Sequence, residues 1–196
     1  MTDALLHLRG VDCVRGGRTL FEGLVLDLAP GEAALATGPN GAGKSSLIRI
    51  AAGLLPPTAG NVAASARRAL MAAEAPALDP ELTIARALGF WARIDGVAGD
   101  RVAEALEIVG LDHLSAVPVR LLSTGQRRRV ALARVIAGGA ALWLLDEPGN
   151  GLDTTSVAVL ESVIARHREQ GGAVLLATHL PIALPEAKPI VLGAAR

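Results

Sequence analysis

The octapeptide Gly38-Pro39-Asn40-Gly41-Ala42-Gly43-Lys44-Ser45 constrains the fold of this chain more than any other stretch. It stands between an apolar run of strand length, Ala33–Thr37, and a segment with helical apolar spacing at Leu47, Ile50, Ala51 and Leu54. That helix is expected to stop at Gly53-Leu54-Leu55-Pro56-Pro57. Glycines let successive backbone N–H groups turn toward a phosphate, and the following helix adds its positive end. Lys44 then bridges the β- and γ-phosphates of a nucleotide, and Ser45 offers its hydroxyl to Mg²⁺. The competing reading, a glycine-rich turn with no ligand, requires the whole pattern and its strand–helix setting to coincide by chance.

Apolar runs of strand length alternate with helical patterns elsewhere, which implies an α/β layered domain with a largely parallel sheet. Strands are expected at Leu5–Leu8, Leu24–Leu28, Ala33–Thr37, Ala141–Asp146, Ala173–Thr178 and Ile190–Leu192. Residues 79 to 121 differ, with two helical segments (about 83–94 and 100–110) and no strand between them. They read as an inserted helical lobe within a single domain spanning 1–196, the helical subdomain covering about 79–124. At 196 residues such a domain buries a proper core. The formal charge of zero gives no global field that would draw the chain to nucleic acid or anionic lipid. A single cysteine, Cys13, rules out an internal disulfide framework or a cysteine-based metal cluster and fits a reducing compartment. The N-terminus lacks the basic start and apolar core of a signal peptide. The longest uncharged apolar run, Val135 to Leu145, is too short to span a bilayer. The expectation is a cytosolic chain that meets a membrane only through a partner.

The strand Ala141–Asp146 ends in a carboxylate, with Glu147 next. Asp146 is expected to hold Mg²⁺ through water and Glu147 to polarise the attacking water. General-base assistance of this kind is worth about 10²–10⁴ in rate. Two acids capping a strand end is the bland alternative, weakened by the complete phosphate loop upstream. The strand Ala173–Thr178 ends at His179, which either serves the structure or senses the γ-phosphate. Asp153, in Gly151-Leu152-Asp153, suits the N-cap of a helix from Thr154 to Glu169, a role compatible with a turn at a subunit seam.

Leu122-Ser123-Thr124-Gly125-Gln126 supplies a second glycine-containing turn. A serine hydroxyl and a glycine N–H at a helix start form a second anion site. Arg127, Arg128 and Arg129 follow in the first turn, where positive charge opposes the helix dipole. Helix propensity therefore does not account for them. Either they face an anionic nucleotide, or two of the three form a solvated basic face.

Phosphate loop, Leu122–Gln126, the acid-terminated strand and the strand-terminal histidine, in this order and spacing, resemble the ATP-binding-cassette ATPases over essentially the whole chain. The resemblance implies a mostly parallel sheet core with an antiparallel β lobe and the inserted helical lobe. It further implies a head-to-tail homodimer holding two ATP molecules. In it the phosphate loop of one cassette (residues 38–45) and Ser123, Gly125 and Gln126 of the other grip each nucleotide, with Asp153 at the seam. Closure on ATP and opening after hydrolysis then drive transmembrane permease subunits. Cys13–Phe21, Leu122–Arg134 and Leu142-Trp143 resemble more narrowly the cassettes of cytochrome c maturation, the ATP-binding subunits of bacterial heme exporters. Such a subunit sits peripherally on the cytoplasmic face of the inner membrane.

Two positions depart from the general cassette pattern. Arg15 stands where many cassettes stack an aromatic residue on adenine, a task that a guanidinium plane can also perform. Glu74-Ala75-Pro76 stands where a glutamine that touches Mg²⁺ is expected, with Ala75 in its place and Glu74 beside it. The permease contact is expected near Glu74–Arg93, with Phe90 and Trp91 as candidates, although the helix core is an alternative home for at least one. A soluble cassette ATPase acting on DNA or ribosomes is the alternative from another class. It usually carries a fused second cassette, a coiled-coil insertion or a basic surface, none of which is present. A regulatory subunit without turnover is the third reading, opposed by Glu147 and His179.

Overall fold

The computed structural model describes residues 4–72 and 77–193. In chain order the elements are β1 (Leu6–Arg15), β2 (Arg18–Leu28), β3 (Ala33–Thr37), α1 (Lys44–Ala51), β4 (Ala59–Ala64), β5 (Arg68–Met71), α2 (Ile84–Ile94), α3 (Asp100–Ile108), α4 (Thr124–Gly138), β6 (Leu142–Asp146), α5 (Thr154–Glu169), β7 (Ala173–Ala177) and β8 (Lys188–Val191). Two 3-10 turns, Asp112–Leu114 and Val119–Leu121, link α3 to α4.

The central sheet runs β5-β6-β7-β3-β8, and its pairings are parallel. Every residue of β6 and β7 is buried, which is why both read as unbroken apolar runs rather than alternating ones. Strand periodicity divides these residues between two layers. Leu142, Leu144, Leu175 and Ala177 join a core with α1 and the antiparallel sheet. Trp143, Leu145, Val174 and Leu176 face the other core, built with α2, α3, α4 and α5. Trp143 stacks on His167 of α5, ring centroids 3.8 Å apart and planes 8° from parallel.

The second sheet, β2-β1-β4, is antiparallel throughout. Here the structure lengthens two expected strands and adds β4, and it adds β5 to the edge of the central sheet. Leu5–Leu8 and Leu24–Leu28 are the buried ends of one long hairpin, turned at Gly16 (φ 55°) and Gly17 (φ 75°), a two-residue connection that needs positive φ at both positions. The hairpin tip, residues 14–19, is exposed, and the buried Val11, Cys13 and Phe21 are separated by polar and glycine residues, so the outer half lacks an apolar run. β4, Ala59-Gly60-Asn61-Val62-Ala63-Ala64, is likewise mostly exposed, and β5 is a four-residue edge strand. Neither carries the apolar or β-branched density of a buried strand.

Helix α1 also differs in one residue. Leu47, Ile50 and Ala51 are buried as expected, but Leu54 is 67% exposed. The helix ends at Ala51, and Gly53 (φ 76°) turns the chain so that Leu54 leaves the buried stripe. α2, α3 and α5 match the sequence reading within two residues. β8 begins two residues before the expected Ile190 and ends at Val191, with Lys188 and Pro189 paired to β3. In α2, Trp91 donates its indole N–H to the Ala77 carbonyl (2.7 Å) and lies 3.7 Å beneath the Arg134 guanidinium. Phe90 is left exposed.

Candidate functional site

The expected phosphate-site and acid-pair residues gather at the C-terminal ends of β3, β6 and β7, where open α/β sheets bind ligands. From β3 the chain enters residues 38–45. A Cβ on Gly38 (φ 146°) would overlap the Leu192 carbonyl oxygen, and one on Gly43 (φ 106°) would come within 3.0 Å of Leu20 Cβ and 3.2 Å of the Phe21 ring. Both positions require glycine, because the loop is pressed between β2 and the chain just after β8. Gly43 is the N-cap of α1, no side chain caps it, and no acid occupies its first turn. The first N–H groups of α1 are thus left for an anion. Lys44 is buried, its Nζ donating to the carbonyls of Gly38 (2.8 Å) and Pro39 (3.2 Å).

Asp146 and Glu147 follow at the end of β6, both buried. Glu147 has φ 48°, an αL conformation that costs a non-glycine residue roughly 1–3 kcal/mol. Its N–H donates to Ala177 O (2.8 Å), and its Oε2 accepts from the backbone N–H of His179 (3.3 Å) and lies 3.0 Å from His179 Nδ1. Its Oε1 is 3.9 Å from Lys44 Nζ. The carboxylate is therefore held between a histidine and the loop lysine, one on each oxygen. Ser45 and Asp146 offer only hard oxygen donors, the chemistry that suits Mg²⁺.

The second turn lies on another side of the same strand end. Ser123 caps α4, its Oγ accepting from Gln126 N–H (3.2 Å), while the Gln126 side-chain carbonyl accepts from Ser123 N–H (2.8 Å). This reciprocal box commits one lone pair of the hydroxyl and leaves its O–H free to donate outward. A Cβ on Gly125 would approach Gly151 O to 3.0 Å, so this turn packs against the loop that follows Glu147. Asp153 closes that loop by accepting from Ser156 N–H (2.7 Å), the expected N-cap of α5. That bond holds its carboxyl below the usual carboxylate range.

The arginine run corrects the sequence reading. No solvated basic face forms: each of the three binds backbone carbonyls. Arg127 donates to Leu122 O (2.6 Å) and Arg129 to Val109 O (3.2 Å). Arg128 is buried and donates to Ala72 O (2.7 Å), Asp146 O (2.7 Å), Pro148 O (3.4 Å) and Glu147 O. Burial pushes its pKa down, and the neighbouring Asp146 and Glu147 charges oppose that shift. The misfit of three cations at a positive helix end was the available signal, since a residue placed against dipole and propensity has another partner.

Arg15 ends β1 exposed at the hairpin tip. The hairpin lies over the start of α1, where Leu20 and Phe21 of β2 flank Gly43. Glu74 and Ala75 lie outside the described residues.

Comparison with known proteins agrees with this geometry. A family model described as "ABC transporter" matches residues 21–150. The "Cytochrome c biogenesis ATP-binding export protein CcmA" of Sphingopyxis alaskensis is 56% identical, the match covering 96% of this chain and 97% of that one. The protein of the same description from Zymomonas mobilis is 47% identical over 97% of this chain and 85% of its own length. Among solved structures, one described as the ATP-binding subunit of an ABC transporter superposes with a TM-score of 0.81 at 23% identity, covering 90% of this chain and 80% of that one, which bears on the fold alone. The chain belongs to the ABC transporter family, in the branch occupied by the cytochrome c biogenesis ATP-binding export proteins.

Proposed function

We propose that this chain hydrolyses ATP for a heme-export complex of cytochrome c maturation, working as a homodimer with two nucleotides sandwiched between cassettes. Family membership already makes it the ATP-driven motor subunit of a transporter. The observation that carries the catalytic part is the Glu147 carboxylate, buried and held between His179 and Lys44. Residues 38–45 cradle the phosphates with backbone N–H groups, Lys44 exchanging its contacts with the Gly38 and Pro39 carbonyls for phosphate oxygens. Ser45 and Asp146, the latter through water, would hold Mg²⁺, which would neutralise charge on the phosphates. Glu147 accepts a proton from the attacking water, and His179, through its 3.0 Å contact, fixes the carboxylate and senses the γ-phosphate.

Ser123, whose O–H is left to donate, together with the N–H of Gly125 and the Gln126 amide, grips the nucleotide on the partner cassette. Asp153 shapes the seam, and Arg15 stacks on the adenine. The transmembrane permease subunits dock near Phe90, and Glu74 or Ala75 stands in for the coupling glutamine. No helix among the described residues is long and apolar enough to cross a membrane. Through its permease partners the chain sits peripherally on the cytoplasmic face of the inner membrane, without direct contact to nucleic acid. Heme as the cargo rests on the relatives' role in cytochrome c biogenesis.

Glu147→Gln tests the chemistry. The variant is expected to bind ATP, to lose turnover by about 10²–10⁴ and to accumulate as a closed dimer with ATP bound. Undiminished turnover would overturn the assignment of Glu147. The cargo is tested separately: wild-type chain, expressed with its cognate permease, should restore holo-cytochromes c to a bacterium deleted for its own export ATPase, and Glu147→Gln should not.

A further inference from the structure

We infer that Arg128 is a positioning residue that couples the Ser123–Gly125 turn to Glu147 of the same chain. The inference rests on the reading of Glu147 as the base. Arg128 lies one helical turn into α4, whose first residues form the turn expected to meet the partner's nucleotide. From there its guanidinium reaches across to the end of β6 and donates to the consecutive carbonyls of Asp146, Glu147 and Pro148. A further bond goes to Ala72 O, directly after β5 and directly before the segment that carries Glu74 and Ala75.

The target of the clamp is the most constrained peptide of the site. Glu147 is one of two described non-glycine residues with positive φ, and the conformation aims its carboxylate back at His179 and Lys44. Its N–H is held by Ala177 and its carbonyl by Arg128 and Asn150 N–H. Removing Arg128 leaves that carbonyl to Asn150 N–H alone and strips the neighbouring Asp146 and Pro148 carbonyls of their shared donor, so Glu147 can relax toward ordinary φ and swing its carboxylate away. A second contact between helix and loop, Gly125 against Gly151 O, ties the start of α4 to residues 147–151. A shift of the turn on meeting the partner's nucleotide is thereby transmitted to the base. Arg, and not Lys, suits the position, since one planar fork satisfies several diverging carbonyls and a single ammonium does not.

The test is ATP turnover by the purified full chain carrying Arg128→Met or Arg128→Gln, beside Glu147→Gln and the double variant Arg128→Met/Glu147→Gln. Displacement of a reacting group by about 1 Å costs about 10²-fold in rate. Arg128→Met is accordingly expected to lower kcat at least 10-fold while KM and the calorimetric Kd for ATP change less than threefold. Arg128→Gln, which keeps one donor and a polar filling of the site, falls between Met and wild type and is read in its place if the Met variant does not fold. In the Glu147→Gln background, Arg128→Met should leave the residual single-turnover rate unchanged, because a base already removed cannot be misplaced. The inference is overturned if turnover stays within twofold of wild type, if Kd rises as much as kcat falls, or if the residual Glu147→Gln rate drops by the same factor. Wild-type turnover in Glu147→Gln alone, by contrast, overturns the reading of Glu147 and not the clamp.

Discussion

Gly172 is expected to be intolerant of the smallest possible side chain, for a reason that lies wholly in its neighbour. Its φ is not in the left-handed region, so backbone conformation alone permits alanine. A Cβ there would overlap Nε2 and Cε1 of His167 and stand only 2.5 Å from Cδ2, so the imidazole must leave. It would abandon its stack on Trp143 at 3.8 Å and its Nε2 contact with Ala141 O at 3.2 Å. An aromatic stack contributes about 0.5–1.5 kcal/mol beyond area and a net hydrogen bond about 0.5–1.5 kcal/mol. Gly172→Ala should therefore destabilise by about 1–3 kcal/mol. The displaced ring has room in the groove of about 680 Å³ that Trp143, Arg166 and Gln170 help to line, so the domain should fold without it. Urea denaturation followed by fluorescence of Trp143, with Trp91 the other tryptophan, measures the loss. In a His167→Ala background the clash is gone, and Gly172→Ala should be neutral or stabilise by about 0.4–1 kcal/mol through the unfolded chain. An equal loss in both backgrounds would refute the argument, since it would mean that something other than the imidazole excludes the methyl.

The same ring sets a pH dependence. Burial pushes the His167 pKa below its ordinary 6.5, so the unfolded state binds the extra proton first as pH falls. Its contribution is fully present above about pH 6.5 and is lost as pH falls below that, with a slope of up to about 1.4 kcal/mol per pH unit; His167→Phe should flatten stability against pH below about 6.5. Lys44→Ala should nearly abolish ATP hydrolysis, as a steady-state phosphate-release assay would show, and wild-type rates in that variant would remove Lys44 from the phosphate site. Expressed alone the protein should remain in the supernatant after ultracentrifugation, and it should sediment with membranes only when co-expressed with a transmembrane partner.

The sequence by itself determined the elements whose cause is local or nearly so. Residues 38–45 needed no tertiary information, because glycine conformations, a strand before and a helix after suffice to define the loop. The acid-terminated β6, the buried β7 and the Asp153-capped α5 were equally legible, since full burial and capping each leave a one-dimensional signature. The exposed hairpin extension to Gly16-Gly17 and the edge strands β4 and β5 left none, their pairing being decided by partners distant in the chain. Leu54 shows the limit of periodicity, which assigns a face without saying where the helix stops. The site divides in the same way. Which residues are candidates for chemistry could be read from residue type and order. That the Glu147 carboxylate sits between His179 and Lys44, that Gly125 rests on Gly151, and that Arg128 grips three consecutive carbonyls were decided only by the tertiary structure. Those contacts join residues from different strand ends, and a charge at a helix start takes its meaning from the carbonyls that folding brings to it.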